Sequence, residues 1–169
     1  MFVSVVALGL AFAGKAFADP VTDARATVAV FEKTDPDMKA LIEHAAGYAV
    51  FPSIGKAAVG IGGANGKGVL FEKAGGATHR INMTQVTVGL ALGGQTFSQV
   101  ILFENEAALR DFKRGNFELA ANASAVALSA GGAKQARYRN GILIFTATKS
   151  GLMFEASVGG QKFTLTPLH

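Results

Sequence analysis

The sequence predicts an α+β fold: one domain in which a strongly bent antiparallel sheet, or partly closed barrel, carries N-terminal helices and one inserted helix. Three observations point there. Between residues 48 and 103 the apolar positions mostly recur with a period of two, as half-buried strands require. Glycine clusters at 62–63, 75–76 and 93–94 interrupt that run and offer corners and short connections between antiparallel neighbours. Helical spacing is confined to the segment before residue 47 and to one later stretch. At 169 residues the chain is long enough to bury a substantial core and too short for two domains of usual size.

Residues 1–18 are expected to lie outside that domain. The apolar run over residues 2–12 is shorter than a bilayer demands, and Ala16-Phe17-Ala18 forms a small-x-small cleavage site ahead of Asp19-Pro20, the pattern of a secretory signal peptide. No Lys or Arg precedes the apolar run, which leaves open a true start upstream of Met1. An uncleaved anchor or a buried helix is the alternative reading of the same residues. Loss of residues 1–18 removes Lys15 and leaves 15 basic residues against 12 acidic ones, a net of +3. That excess permits attraction to anionic lipid but falls short of the concentrated basic face of a nucleic-acid binder. With no cysteine the chain has no disulfides, no thiolate metal site and no lipid attached at an N-terminal cysteine. The mature domain, residues 19–169, is expected to be exported, which in a bacterium means the periplasm.

Along that domain, Asp19-Pro20 supplies a helix cap and a first-turn proline, and Val21, Ala24, Val28 and Phe31 fall on one helical face. Asp35-Pro36 repeats the start signal, with Met38, Leu41, Ile42 and Ala45 as a second apolar face ending at Gly47. In the glycine-rich run that follows, Ala64-Asn65-Gly66-Lys67 is expected to turn a hairpin between a strand ending near Gly62 and the run Val69 to Phe71. Ile81 to Val88 alternates, and Val100 to Phe103 reads as buried on both faces. Asn105 can cap the inserted helix, Glu106 suits its positive end, Ala108, Leu109 and Phe112 give its apolar side, and Lys113-Arg114 suit its C-terminal turn. Residues 117–129 are rich in small side chains and Gly131-Gly132 breaks them. Residues 142–148, 152–158 and 162–166 then form three closing strands. The glycine clusters keep no fixed period, so a repeat protein is not expected.

The motifs exclude more chemistry than they offer. A Walker loop ending at Gly66-Lys67 would need glycine at 61 and a hydroxyl at 68, where Ile61 and Gly68 stand; a dinucleotide fingerprint from Gly60 and Gly62 would need glycine at Asn65. No serine lies in a Gly-x-Ser-x-Gly elbow. His44, His79 and His169 show no two-histidine metal spacing, and neither Asp35/Asp37 nor Glu104/Glu106 has calcium-loop spacing. An enzyme is therefore not expected, nor a cofactor, although paired acids acting on a glycoside are not excluded by sequence. The basic residues are more suggestive because several sit at turns: Lys56, Lys67 and Lys73 around the glycine-rich run, Lys113 and Arg114 at a helix end, Lys134, Arg137 and Arg139 after a glycine pair, and Lys149 in a hairpin. If they converge they form a phosphate-binding face, each charge worth about 1 kcal/mol near an anionic membrane; otherwise they are scattered solubilising charges. Val28 and Phe31 carry the same choice, between packing on the sheet and contact with a headgroup layer.

Ala49-Val50-Phe51-Pro52-Ser53 with Lys56, the run Gly60 to Leu70, Val88-Gly89-Leu90-Ala91-Leu92-Gly93-Gly94-Gln95, Val100 to Leu109, Phe117 to Ser124 and Lys149 to Val158 together resemble the SYLF domain family, in order and over nearly the whole mature chain. The resemblance implies a non-enzymatic module that binds phospholipid, with an amphipathic N-terminal helix aiding attachment. In eukaryotic relatives it implies phosphoinositides, and in some fungal ones actin filaments. An exported bacterial protein would meet neither, so a general anionic phospholipid or membrane surface is the expected partner. An envelope structural or protein-interaction module whose exposed sheet or groove receives a partner chain is the competing expectation, with a hydrolase third.

Overall fold

The computed structural model describes residues 19–57, 63–73, 75–86, 96–120, 122–148 and 156–169. The expected signal segment, residues 88–95 and Lys149 lie outside the described residues. The first helix, α1 (Pro20–Thr34), begins at Asp19, whose side chain accepts from the Val21 amide. Helix α2 (Asp37–His44) follows Asp35, whose Oδ1 accepts from the Asp37 N–H at 3.1 Å. The chain then enters β1 (Gly47–Ala57), β2 (Gly63–Glu72), β3 (Gly76–Val86) and β4 (Thr96–Phe103), crosses α3 (Glu106–Lys113), and passes through the short β5 (Phe117–Glu118) and β6 (Ser124–Ala127). A one-turn helix α4 (Gly132–Gln135) precedes β7 (Ile142–Thr148), β8 (Ala156–Ser157) and β9 (Lys162–Pro167). Where the sequence offered only a glycine break at 131–132, Gly131 with φ +80° starts that second inserted helix.

The strands form one strongly curled sheet in the order β5-β9-β3-β2-β1-β4-β7-β6-β8, antiparallel throughout except for the β6–β7 pair. Its two ends meet because β5 runs on into β6 and β8 into β9. Between them Leu119 donates its N–H to Gln161 O at 2.9 Å, Gly160 to Leu119 O at 3.0 Å and Val158 to Ala123 O at 3.3 Å. Among the described residues β7 is paired on one side with β6 at only two positions, and β9 with β5 at only two.

Side-chain alternation sorts the apolar residues into two layers. Ala49, Phe51, Ile54, Ile101, Phe103, Ile144 and Phe163 fill the concave interior, while Val50, Val69, Phe71, Val100, Leu102, Leu143 and Phe145 pack outside beneath α1, α2 and α4. Strand β4 is buried on both faces, which is why its second half, Val100 to Phe103, reads as unbroken apolar residues. Helix α3 plugs the interior with Leu109 and Phe112. The Phe112 ring lies 4.7 Å from Phe103, 5.2 Å from Phe163 and 5.4 Å from Phe117. Farther along the interior three glutamines share a buried polar cluster. Gln99 and Gln161 exchange amide hydrogen bonds of 2.8 and 3.0 Å, and Gln161 Nε2 also donates to Gln85 Oε1 at 3.2 Å.

One expectation is corrected. Ala64, Asn65, Gly66 and Lys67 do not form a turn; they run straight through β2, paired with β1 on one side and β3 on the other. Their glycines serve packing. A Cβ on Gly66 would stand 2.8 Å from Ile54 Cγ1, and one on Gly68 would stand 2.7 Å from two ring carbons of Phe51. Removing side chains there lets large residues of β1 lean across β2 into the interior.

Candidate functional site

The wall of the curled sheet opens beside β7. Strand β6 pairs with β7 only at Val126↔Phe145 and Ala127↔Thr146, because the chain before it turns away to bond residues 156–161. The gap is bounded by α3 and by a tight turn into β7. Arg139 and Ile142 exchange both backbone hydrogen bonds, at 2.9 and 3.0 Å, around Asn140 with φ +52° and Gly141 with φ +78°, as a two-residue type I′ turn demands. Glycine is needed at 141 on two counts, since a Cβ there would also stand 2.8 Å from Ala108 Cβ on α3. The turn therefore rests directly on the helix.

The resulting cleft has a volume of about 630 Å³, within the range of small-molecule sites. Its floor is Phe117, Leu119, Ala123, Ala125, Ile142 and Ile144. Leu119 and Ile144 belong to the interior cluster, so the cleft is a breach that reaches the inner core. Arg137, Arg139, Asn122 and Asn140 stand at its polar margin together with Glu118 and Asp111. Arg137 is anchored by donating Nη1 to the Lys134 and Ala136 carbonyls at 3.3 and 3.0 Å. A second, more polar depression of about 560 Å³ adjoins it, sharing Ala108, Asp111 and Asn140 and adding Arg110 and Arg114.

The basic residues singled out from sequence are not brought to one point. Lys113 Nζ bonds Glu72 Oε1 at 2.8 Å and so is partnered. Arg114 pairs with Asp111 at 3.2 Å with both side chains largely exposed. Lys73 is exposed at the β2–β3 turn, whereas Lys67 lies five strand residues from Glu72, roughly 17 Å away. Lys67 shares the exposed outer face of β3, β9 and the adjoining half of β2 with Arg80 and Lys162. The backbone of Lys56 belongs to β1, its side chain being outside what is described, and Lys149 lies outside the described residues. Phe31 is fully buried and Val28 packs against the same outer cluster, so in this structure that face of α1 serves the core and not a headgroup layer; Val30, 58% exposed, is the large apolar side chain the helix presents. Arg110 escaped notice in the sequence, although its spacing of four from Arg114 on a predicted helix was the available signal. So did Asn140-Gly141, a hairpin signature that places Arg139.

Electrostatics concentrate where α3 meets the β2–β3 turn. Burial pushes the Glu72 carboxyl up, but hydrogen bonds from Lys113 and Thr78 and the charges of Lys113 and His79 outweigh it and hold Glu72 below its ordinary value. Burial and the Lys113 charge lower His79, with Glu72 opposing. Among the described residues no three acidic or imidazole groups are placed to share a metal ion, and no helix is long and apolar enough to cross a membrane.

Comparison with known proteins bears on the same region. Residues 84–166 match the family Ysc84, described as Las17-binding protein actin regulator; this span holds α3, the Asn140-Gly141 turn and the whole cleft. The chain is 30% identical over 128 residues to Beta cell expansion factor A of Aeromonas veronii, an alignment covering 76% of this chain and 49% of that protein. The chain thus spans about half the length of the curated relative it matches.

Proposed function

Because the chain belongs to the Ysc84 (SYLF) family, a family of binding domains, we propose that it binds anionic phospholipid through the cleft beside β7, as an exported module of the bacterial envelope. The observation that carries this reading is an apolar floor continuous with the protein interior beneath an arginine-bearing margin. Each methylene of an acyl chain taken into such a floor contributes about 0.8 kcal/mol, and each cation near an anionic surface about 1 kcal/mol. The uncovered Lys67, Arg80 and Lys162 add long-range attraction. The Las17 and actin of the family description would lie out of reach of an exported chain, so lipid is the ligand proposed.

Co-sedimentation with liposomes of rising phosphatidylglycerol content tests the reading. Bound protein is expected to rise with the anionic fraction and fall as salt screens the charges. Binding indifferent to both contradicts it. The exposed polar face of β3 and β9, which carries Arg80, Asn82, Thr84, Lys162, Thr164 and Thr166, is the specific observation behind the alternative of a protein-interaction module. Stoichiometric capture of one envelope protein, with no lipid retained, would favour that alternative.

A further inference from the structure

We infer that Arg110 and Arg114 form a phosphate subsite on α3, so that the cleft takes the chain of an amphiphile while the adjoining depression takes its anionic head; this rests on the phospholipid reading above. Residues four apart on a helix lie side by side, and these two guanidiniums both line the smaller depression. Guanidinium forks match phosphate oxygens bidentately. Arg110 is exposed and makes no ion pair with any of the described residues. Arg114 is held by Asp111, but with side-chain exposures of 75% and 60% that pair is weak and readily exchanged. Lys113, between them in sequence, is committed to Glu72 and points its charge to another side of the helix. Asp111 leaves the depression with one net positive charge from its two arginines and one carboxylate, which favours a head bearing net negative charge over a zwitterionic one. The two depressions share Ala108, Asp111 and Asn140, so they lie side by side and a head group seated in one adjoins a chain seated in the other.

The test compares short-chain phosphatidic acid with the phosphatidylcholine of the same chains, both below micelle-forming concentration, by isothermal titration calorimetry, with glycerol phosphate and inorganic phosphate as chain-free probes. The intact protein is expected to prefer phosphatidic acid about tenfold or more, because guanidinium bonds to a more highly charged phosphate are the stronger ones. Arg110→Gln/Arg114→Gln, both at exposed positions, should abolish the preference by weakening phosphatidic acid binding far more than phosphatidylcholine binding. A retained preference in the double variant, or none in the intact protein, overturns the subsite and leaves the cleft reading standing. If neither lipid binds but glycerol phosphate does, and the double variant loses it, the subsite stands and the cleft reading falls. Inorganic phosphate bound as tightly as phosphatidic acid would support the subsite with a free anion as its ligand.

Discussion

Replacing Gln161 by leucine should destabilise this protein far more than its modest change in volume suggests. The side chain is fully buried and bonds Gln99 twice and Gln85 once. Leucine would strip Gln99 of both of its hydrogen bonds in the cluster and Gln85 of one of its own, at fully buried positions. Each buried polar atom left unmatched costs about 1–3 kcal/mol, so the loss should come to roughly 3–5 kcal/mol, a large part of the 5–15 kcal/mol typical of a domain. Urea denaturation followed by far-ultraviolet circular dichroism reads this as a fall in midpoint of roughly 1.5–2.5 M at an unchanged slope near 2 kcal/mol/M. Gln99→Leu/Gln161→Leu removes the reciprocal pair altogether and should recover at least about 1 kcal/mol relative to Gln161→Leu alone. A cost below about 1 kcal/mol for the single change, or costs that simply add in the double, would refute the idea that these amides hold one another.

Three further outcomes follow from equally local geometry. Asp35 is fully buried and accepts from the Asp37 N–H with one oxygen and from the Ala133 N–H, at 2.8 Å, with the other; Asp35→Ala should therefore loosen α2 and α4 together and cost about 2–4 kcal/mol by thermal or urea melting. Gly68→Ala drives a methyl to 2.7 Å from the Phe51 ring and from Val50 O and should cost about 2–3 kcal/mol, whereas Gly55→Ala, with nothing among the described residues within 4 Å, should melt within about 0.5 kcal/mol of the parent. Acid should destabilise in two steps. His79 lies below its ordinary 6.5 and Glu72 below its ordinary 4.5, so for both groups the folded state binds fewer protons than the unfolded one. Their contributions are complete above those ordinary values and are lost as pH falls through the lower folded ones. His79→Gln should flatten the upper step in a pH series of urea midpoints and leave the lower one in place.

The elements with local signals were readable from the chain itself. Asp19-Pro20, Asn105 with Lys113-Arg114, and the alternation through Ile81 and Met83 mark their helices and strand by capping, charge and periodicity, and the curled α+β sheet follows from strands broken by glycine. Gly66 and Gly68 misled because glycine signals a turn as readily as a close approach, and only Phe51 and Ile54, a strand away, decide between them. The cleft was not legible for a similar reason: its floor joins residues 117–125 to residues 142–144, a juxtaposition created by β6 leaving β7. Arg110 and Arg114 gain meaning only when that opening is set beside α3. Conversely, Lys113 looked like a free cation until Glu72 came across from β2.

Native mass spectrometry of the protein incubated with equimolar phosphatidylglycerol tests the cleft most directly. The intact chain should carry one lipid, and Ala125→Leu or Ala123→Leu, each filling the floor from a different position, should lose it while melting as cooperatively as the parent. A lipid adduct of undiminished occupancy in both folded variants, or none on the intact chain, would contradict the account.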